Sequence, residues 1–411
     1  MADFKPFKAF RPKPELALEV AAKPYDVLNS EEARIEVQGH PLSFLHIGKP
    51  EVDLPLGQDL HEEIVYLKAK ENLDKLIKDN VLAEDPAPYF YLYAQTMDGR
   101  VQYGFVGAAS VDDYWNDVIK KHEKTRKDKE EDRCNHVRYT NSHSGPIFLT
   151  FHDNAELQSE IDTISAQEPN TDLVSADGIR HTVWVIDNPE TISKIEKLFK
   201  DMANLYVADG HHRSAAASIV GRERQQTNPN HKGDEDYNYF LAVAFPASHL
   251  KIFDYNRVVK DLNGNTIEEF FNKLALNFEL SEMTERIHPP AKGSFGLYID
   301  KKWYLMKAKS HLMIDDPVEG LDVSILQNYV LDSILGIDDP RTSKRIDFVG
   351  GIRGLDELEK RVNSGEMTLA FSMFPTSIEE LINIADAGKI MPPKSTWFEP
   401  KLRDGLFVHF M

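Results

Sequence analysis

The chain has 411 residues, of which 41% are hydrophobic and 28% charged, the balance of a globular protein with a sizeable core and not of a disordered chain. Lys and Arg total 48 against 67 Asp and Glu, a formal net charge of -19; this argues against a dedicated duplex-binding protein, which needs a basic footprint to neutralise phosphates. A single cysteine, Cys134, excludes an internal disulfide framework and any CxxC zinc site.

The opening MADFKPFKAFRPKPELA contains no apolar stretch of signal-peptide length, and no run of about 18 apolar residues occurs anywhere. The expectation is a cytoplasmic protein without a membrane span. Up to Pro50 the chain is Pro-rich and irregular, with KPYDV at Lys23–Val27 and then NSEEARIEV, where Ser30 is the expected helix cap. HEEIVYLKAKENLDKLIKDNVL reads as a helix, with Ile64, Leu67, Leu73 and Leu76 near helical spacing. PYFYLYAQTM and VQYGFVGAAS read as two strands joined at Asp98-Gly99, a hairpin signal. Asp112–Arg133 reads as one helix, apolar early and charged late.

GPIFLTFHD and HTVWVID read as strands, and ETISKIEKLFKDM as an amphipathic helix. NLYVADG is a strand running into a glycine, HHRSAAASIVGRERQQ the helix after it, and NYFLAVAFP a further strand. Beyond about residue 255 come the helix IEEFFNKLALNF, the hairpin SFGLYIDKKWYLMKA, the helices DVSILQNYVLDSILG and LDELEKRV, the strand MTLAFSMF and the helix SIEELINIADAG. GLFVHFM reads as a closing strand. Helices and strands mix throughout, so the fold class is α/β or α+β, divided into regions 1–255 and 256–411.

Four segments carry the residue types that chemistry needs. In LYVADGHHRSAAAS a strand ends in Asp209-Gly210 and a small-residue helix follows at once. Free amides and the helix dipole at such a start attract anions. Gly210 permits close backbone approach, and the Arg213 fork suits a phosphate. His211 and His212 are donors that titrate near neutrality when unperturbed. A helix start capped by Asp209 and a metal site are the other readings of the segment. In KKHEKTR, His122 and Glu123 are titratable and Thr125 and Arg126 can bind an oxyanion; the plain reading is a solvated helix face. KPYDV supplies Tyr25 and Asp26 in a turn. MPPKSTWFEPKL supplies Lys394, Ser395, Thr396 and Lys401 on a stretch stiffened by prolines. No P-loop, GxGxxG, GxSxG or HExxH motif is present.

Taken together and in order, KPYDV, HEKT, ADGHHR and MPPKSTWFEPKLRDGL resemble the family known as domain of unknown function 1015, across nearly the whole chain. The strand–DGHHR–helix unit is in turn similar to the phosphate-binding motif of the ParB/sulfiredoxin superfamily. That superfamily uses one anion cradle for CTP binding, for ATP-dependent repair of a cysteine sulfinate and for phosphorylation of free serine. No basic helix-turn-helix is visible here, and Cys134 lies outside the motif. The resemblance therefore implies a small-molecule phosphotransferase, with Mg²⁺, with ATP, ADP or pyrophosphate as donor, and with a small hydroxyl acceptor such as free serine. It places Asp209, His212, Glu123 and His122 in catalysis. Gly210, His211, Arg213, Lys394, Ser395 and Thr396 would hold phosphate, and Tyr25, Asp26, Thr125 and Lys401 the substrate. No protein ligand set for a resident metal is assigned. A nucleotide-binding regulatory protein without transfer, and a phosphatase using the same cradle, are the alternatives.

Overall fold

The computed structural model describes residues 1–411, which form two units: residues 1–250 with 400–411, and residues 251–399. Residues 400–411, expected with the C-terminal region, belong to the first unit. His409–Phe410 pairs there with Ser142–His143, and Val408 bridges to Phe10.

The first unit is built on a mixed sheet. Its strands in chain order are β1 Phe4–Lys5, β2 Phe90–Met97, β3 Arg100–Ser110, β4 Ile119–Lys120, β5 Ile147–Phe151, β6 Thr171–Val174, β7 Arg180–Ile186, β8 Leu205–Asp209 and β9 Tyr239–Pro246. Their spatial order is β4-β8-β5-β9-β3-β2-β7-β6, with β1 on β3. The β2–β3 hairpin turns at Asp98-Gly99, where both residues have positive φ, as the sequence predicts. Alternate residues of the central strands, among them Phe90, Leu92, Phe105, Leu149, Phe151, Val207 and Phe240, form one apolar layer. Leu157 and Ile161 of helix Ala155–Ser165, and Ile195 and Phe199 of helix Pro189–Lys200, pack into it.

Three longer helices position the site: α1 Glu63–Lys78, α2 Lys127–Thr140 and α3 His211–Thr227. In α1 the buried face runs through Val65, Tyr66, Ala69, Leu73 and Leu76, one position off the expected start, and Ile64 and Leu67 are exposed. Ala216 and Val220 of α3 meet Cys134 and Val137 of α2. The single helix expected over Asp112–Arg133 is broken. A turn of helix spans Val111–Trp115, Asp117 takes a left-handed φ of 60°, and β4 then pairs in parallel with β8 at Leu205 and Tyr206. HEKT thus lies on a loop between β4 and α2, not on a helix face. The cap of the NSEEARIEV helix is Asn29, which forms a capping box with Glu32; Ser30 is the first helical residue.

The second unit is an antiparallel sheet of six strands: β10 Tyr255–Val259, β11 Phe278–Met283, β12 Ser294–Ile299, β13 Lys302–Ala308, β14 Ile346–Gly350 and β15 Leu369–Met373, in the order β11-β13-β12-β15-β10-β14. Leu355 and Leu358 of helix Gly354–Asn363 pack on Val258, Tyr298, Trp303 and Val349. The mixture of helices and sheets is the α/β class that the sequence implies. No helix is long and apolar enough to cross a membrane.

Candidate functional site

The site grows from the end of β8. Gly210 has φ 92°, a conformation that costs glycine little and a β-branched residue a great deal. A Cβ there would also stand 3.2 Å from the Arg213 guanidinium. The turn starts α3 with no side chain capping its N-terminus. Asp209 is therefore not the cap; its Oδ1 accepts the Gly210 amide at 3.0 Å, so that amide is not open to a ligand. Its Oδ2 pairs with Lys401 Nζ at 3.1 Å. Burial alone would push the Asp209 carboxyl up, but Lys401 and Arg213 outweigh it and hold it at about 2.

Arg213 is the centre of the arrangement. One terminal nitrogen donates to the Pro146 carbonyl at 2.7 Å, while the buried Nε has no hydrogen-bond partner. Burial works against its charge; Asp26, Asp404 and Asp209 sustain it and raise its proton affinity. Asp404 is buried, and its Oδ1 is unpartnered. Burial lifts this carboxyl to about 7, against the opposing pull of Arg213. Gly145 makes room for it, since a Cβ there would sit 2.8 Å from Oδ1.

Backbone bonds bring the distant segments together. The Ala22 amide donates to the Asp404 carbonyl at 3.1 Å and the Asp404 amide to the Ala22 carbonyl at 2.9 Å, so KPYDV follows directly beside RDG. Tyr25 stacks under the Arg133 guanidinium at 4.1 Å. Burial pushes its hydroxyl up to about 12. Arg133 pairs with Asp132 at 2.8 Å, and Asp132 accepts the Tyr66 hydroxyl at 2.9 Å. The RDG segment is anchored by Arg403, which donates to His181 Nε2 at 3.2 Å and Ser175 Oγ at 3.0 Å and pairs with Asp177. His181 Nδ1 meets the Tyr93 hydroxyl at 2.7 Å. With Nε2 accepting from Arg403, its proton is on Nδ1.

The HEKT loop closes the other side. His122 is buried against His211, with ring centroids 4.4 Å apart and planes at 87°. Glu123 Oε2 lies 3.9 Å from His211 Nδ1. The Arg126 amide donates to His212 Nε2 at 3.1 Å, and the preceding Thr125 is half-buried. The sequence leaves His211 and His212 free to titrate near neutrality; burial overturns this. It pushes His122 down to about 4, His211 well below its ordinary value and His212 down as well. Burial thus favours the neutral form of all three imidazoles.

The structure thus gathers Tyr25, Asp26, His122, Glu123, Asp209, Gly210, His211, His212, Arg213 and Lys401 within the first unit. Lys394, Ser395 and Thr396 belong to the second unit. There the Lys394 carbonyl accepts from Arg257 at 3.0 Å and its ammonium lies 5.6 Å from the Tyr255 ring centre. Ser395 Oγ donates to the Pro392 carbonyl at 2.7 Å. Asp404 and Arg133 were not assigned from sequence. The RDGL motif contained the signal for Asp404, but a carboxylate's burial is invisible in a sequence.

An α/β unit in which a strand–glycine–helix turn presents a half-buried guanidinium, without an ion-pair partner, among three carboxylates is the class defined here. Residues 4–324 match the family described as "Protein of unknown function (DUF1015)", and the chain belongs to that family. No curated protein matches the sequence. Among solved structures, the chain is similar to a free serine kinase in complex with AMP, at 14% identity over 72% of this chain and 86% of that one, with a TM-score of 0.37. A conserved hypothetical protein from Pyrococcus furiosus is similar at 15% identity over 76% and 97%, with a TM-score of 0.36. SbnI from Staphylococcus aureus, truncated at its C-terminus, is similar at 11% identity over 73% and 85%, with a TM-score of 0.39. At this depth of similarity no residue role passes from those proteins to this chain.

Proposed function

We propose that the first unit binds the phosphate end of a small-molecule donor, a nucleotide or pyrophosphate, and transfers phosphate to a small hydroxyl acceptor such as free serine. The observation that carries this reading is Arg213: a half-buried side chain whose Nε is buried without a partner, in the first turn of an uncapped helix. A buried donor without a partner is costly to keep, and an anionic ligand supplies the partner while the helix dipole adds to the attraction.

Asp404 suits the role of general base, because its carboxyl stands at about 7 and can take a hydroxyl proton near neutral pH. Asp209 does not suit it, being held at about 2; it orients Lys401 and the Gly210 turn. The acceptor oxygen would attack the terminal phosphorus, the bond to the donor's bridging oxygen would break, and the acceptor's proton would pass to Asp404. Arg213 and Lys401 would bear the negative charge on the phosphoryl oxygens. Mg²⁺ is proposed as the donor's companion ion, held through the donor's phosphate oxygens. When bound, the ion would neutralise phosphate charge. Lys394, Ser395 and Thr396 remain proposed phosphate contacts of the second unit, and the cytoplasm the proposed compartment.

The test is turnover. Phosphorus NMR of the protein with Mg²⁺, L-serine and ATP, ADP or pyrophosphate in turn should show a new phosphomonoester with one of the donors. Saturable donor binding without any product would leave a nucleotide-binding module in place of a transferase. Free phosphate released without serine dependence would point to a phosphatase.

A further inference from the structure

Beside the guanidinium, a different chemistry is assembled on the HEKT loop. His122, Glu123 and His211 each offer one donor atom, and these atoms lie within 4.8 Å of one another. His122 is 1% exposed, and neither of its ring nitrogens has a hydrogen-bond partner; His211 is 6% exposed, and its Nε2 has none. Buried imidazole nitrogens are normally satisfied, and three unsatisfied ones in two touching rings require an explanation that packing does not give.

We propose that His122, Glu123 and His211 bind a divalent transition-metal cation of the zinc, cobalt or manganese type. Two imidazoles and one carboxylate suit these ions, whereas Mg²⁺ and Ca²⁺ prefer all-oxygen sets. Bonds of about 2.0–2.1 Å bring tetrahedral ligand atoms to roughly 3.4 Å from each other. The set must therefore close by on the order of 1 Å from its present spread of 4.8 Å. The element able to move is Glu123, whose side chain is 41% exposed on the loop before α2. Three protein ligands leave a position open for water or a ligand, the pattern of a reactive metal site and not of a structural one. The site stands on His211, next to the Gly210 turn, but its donors are distinct from the carboxylates around Arg213. It is therefore independent of the phosphotransfer reading.

Cobalt alone tests it, with no phosphate compound present. The full chain, stripped by chelation, is titrated with Co²⁺ and followed by visible absorption, then challenged with Zn²⁺ and with millimolar Mg²⁺. The expected result is one Co²⁺ per chain, displaced by Zn²⁺ and not by Mg²⁺. Affinity should fall by more than roughly a hundredfold in His122→Gln, since even outer-shell partners change metal affinity 10–100-fold, and should also fall in Glu123→Gln. No saturable cobalt signal, or affinity unchanged in Glu123→Gln, overturns the proposal. Because Glu123 is at the exposed edge, that variant decides the matter even if His122→Gln does not fold.

Discussion

Two surface arginines of the second unit and Arg213 of the first are satisfied in opposite ways. In the second unit Arg286 binds Glu359 through two nitrogens at 2.9 and 2.7 Å, and Arg345 pairs with Asp261 through Nε at 2.9 Å. Both of these forks are closed by a carboxylate in direct contact, and these pairs lie at the surface. In the first unit Arg213 has three carboxylates near enough to sustain its charge, yet it makes no ion pair; its one partner is a backbone carbonyl. A closed fork is a structural contact worth about 0.2–1 kcal/mol when exposed. A buried open fork costs stability until something anionic fills it. The difference separates a residue that holds the fold from one that waits for a ligand.

The largest expected effect is on turnover, and it would break the comparison at Asp404. Asp404→Asn keeps the shape and removes the base, so kcat should fall by about 10²–10⁴-fold with donor affinity changed little. A loss of affinity with kcat unchanged would make Asp404 a ligand contact only.

The next effect is on stability and follows from the same carboxyl. Its folded value of about 7 lies above its ordinary 3.8. Between these values the folded chain holds a proton that the unfolded chain has released, so stability falls as pH rises from about 4 to about 7 and then levels. The slope from this group is at most about 1.4 kcal/mol per pH unit. Chemical denaturation of the ligand-free protein across pH 4–8 should show the decline, and Asp404→Asn should flatten it. An unchanged slope in the variant would mean that another group is responsible.

Asp209 works in the other direction and more weakly. Held at about 2, below its ordinary 3.8, it contributes stability above pH 4 that is lost as pH falls towards 2. Lys401→Met removes its ion-pair partner and should cost about 1 kcal/mol at pH 7, with the difference from wild type shrinking at pH 3. A cost that grows at low pH would contradict the assignment. The smallest effect sharpens the contrast from the other side. Arg286→Ala, which opens an exposed closed fork, should leave the denaturation midpoint nearly unchanged and donor affinity unchanged.

What the sequence reveals divides along physical lines. The strands around Val207, Leu149 and Phe105 are legible because apolar alternation states both period and burial. The DGHHR turn is legible because glycine between a strand and a small-residue helix has few other uses. The break at Asp117 is not, since a left-handed aspartate has no strong local signature and pairing with β8 decides it. Nor is the closeness of Asp404 to Tyr25 and Asp26, which depends on the paired backbone bonds between Ala22 and Asp404. The histidines mislead for the same reason. Their residue type suggests titration at neutral pH, and burial, a property of the fold, removes it.

The central claim is that the open fork of Arg213 is the anion site. Titration calorimetry of ATP, ADP and pyrophosphate into wild type, Arg213→Ala and Arg213→Lys tests it directly. A hydrogen bond to a charged group contributes about 1.5–3 kcal/mol, so the alanine variant should bind the preferred donor about 10–150-fold more weakly. The lysine variant should recover only part, because it keeps the charge and loses the fork. Equal affinity for every donor in wild type and Arg213→Ala would contradict the account.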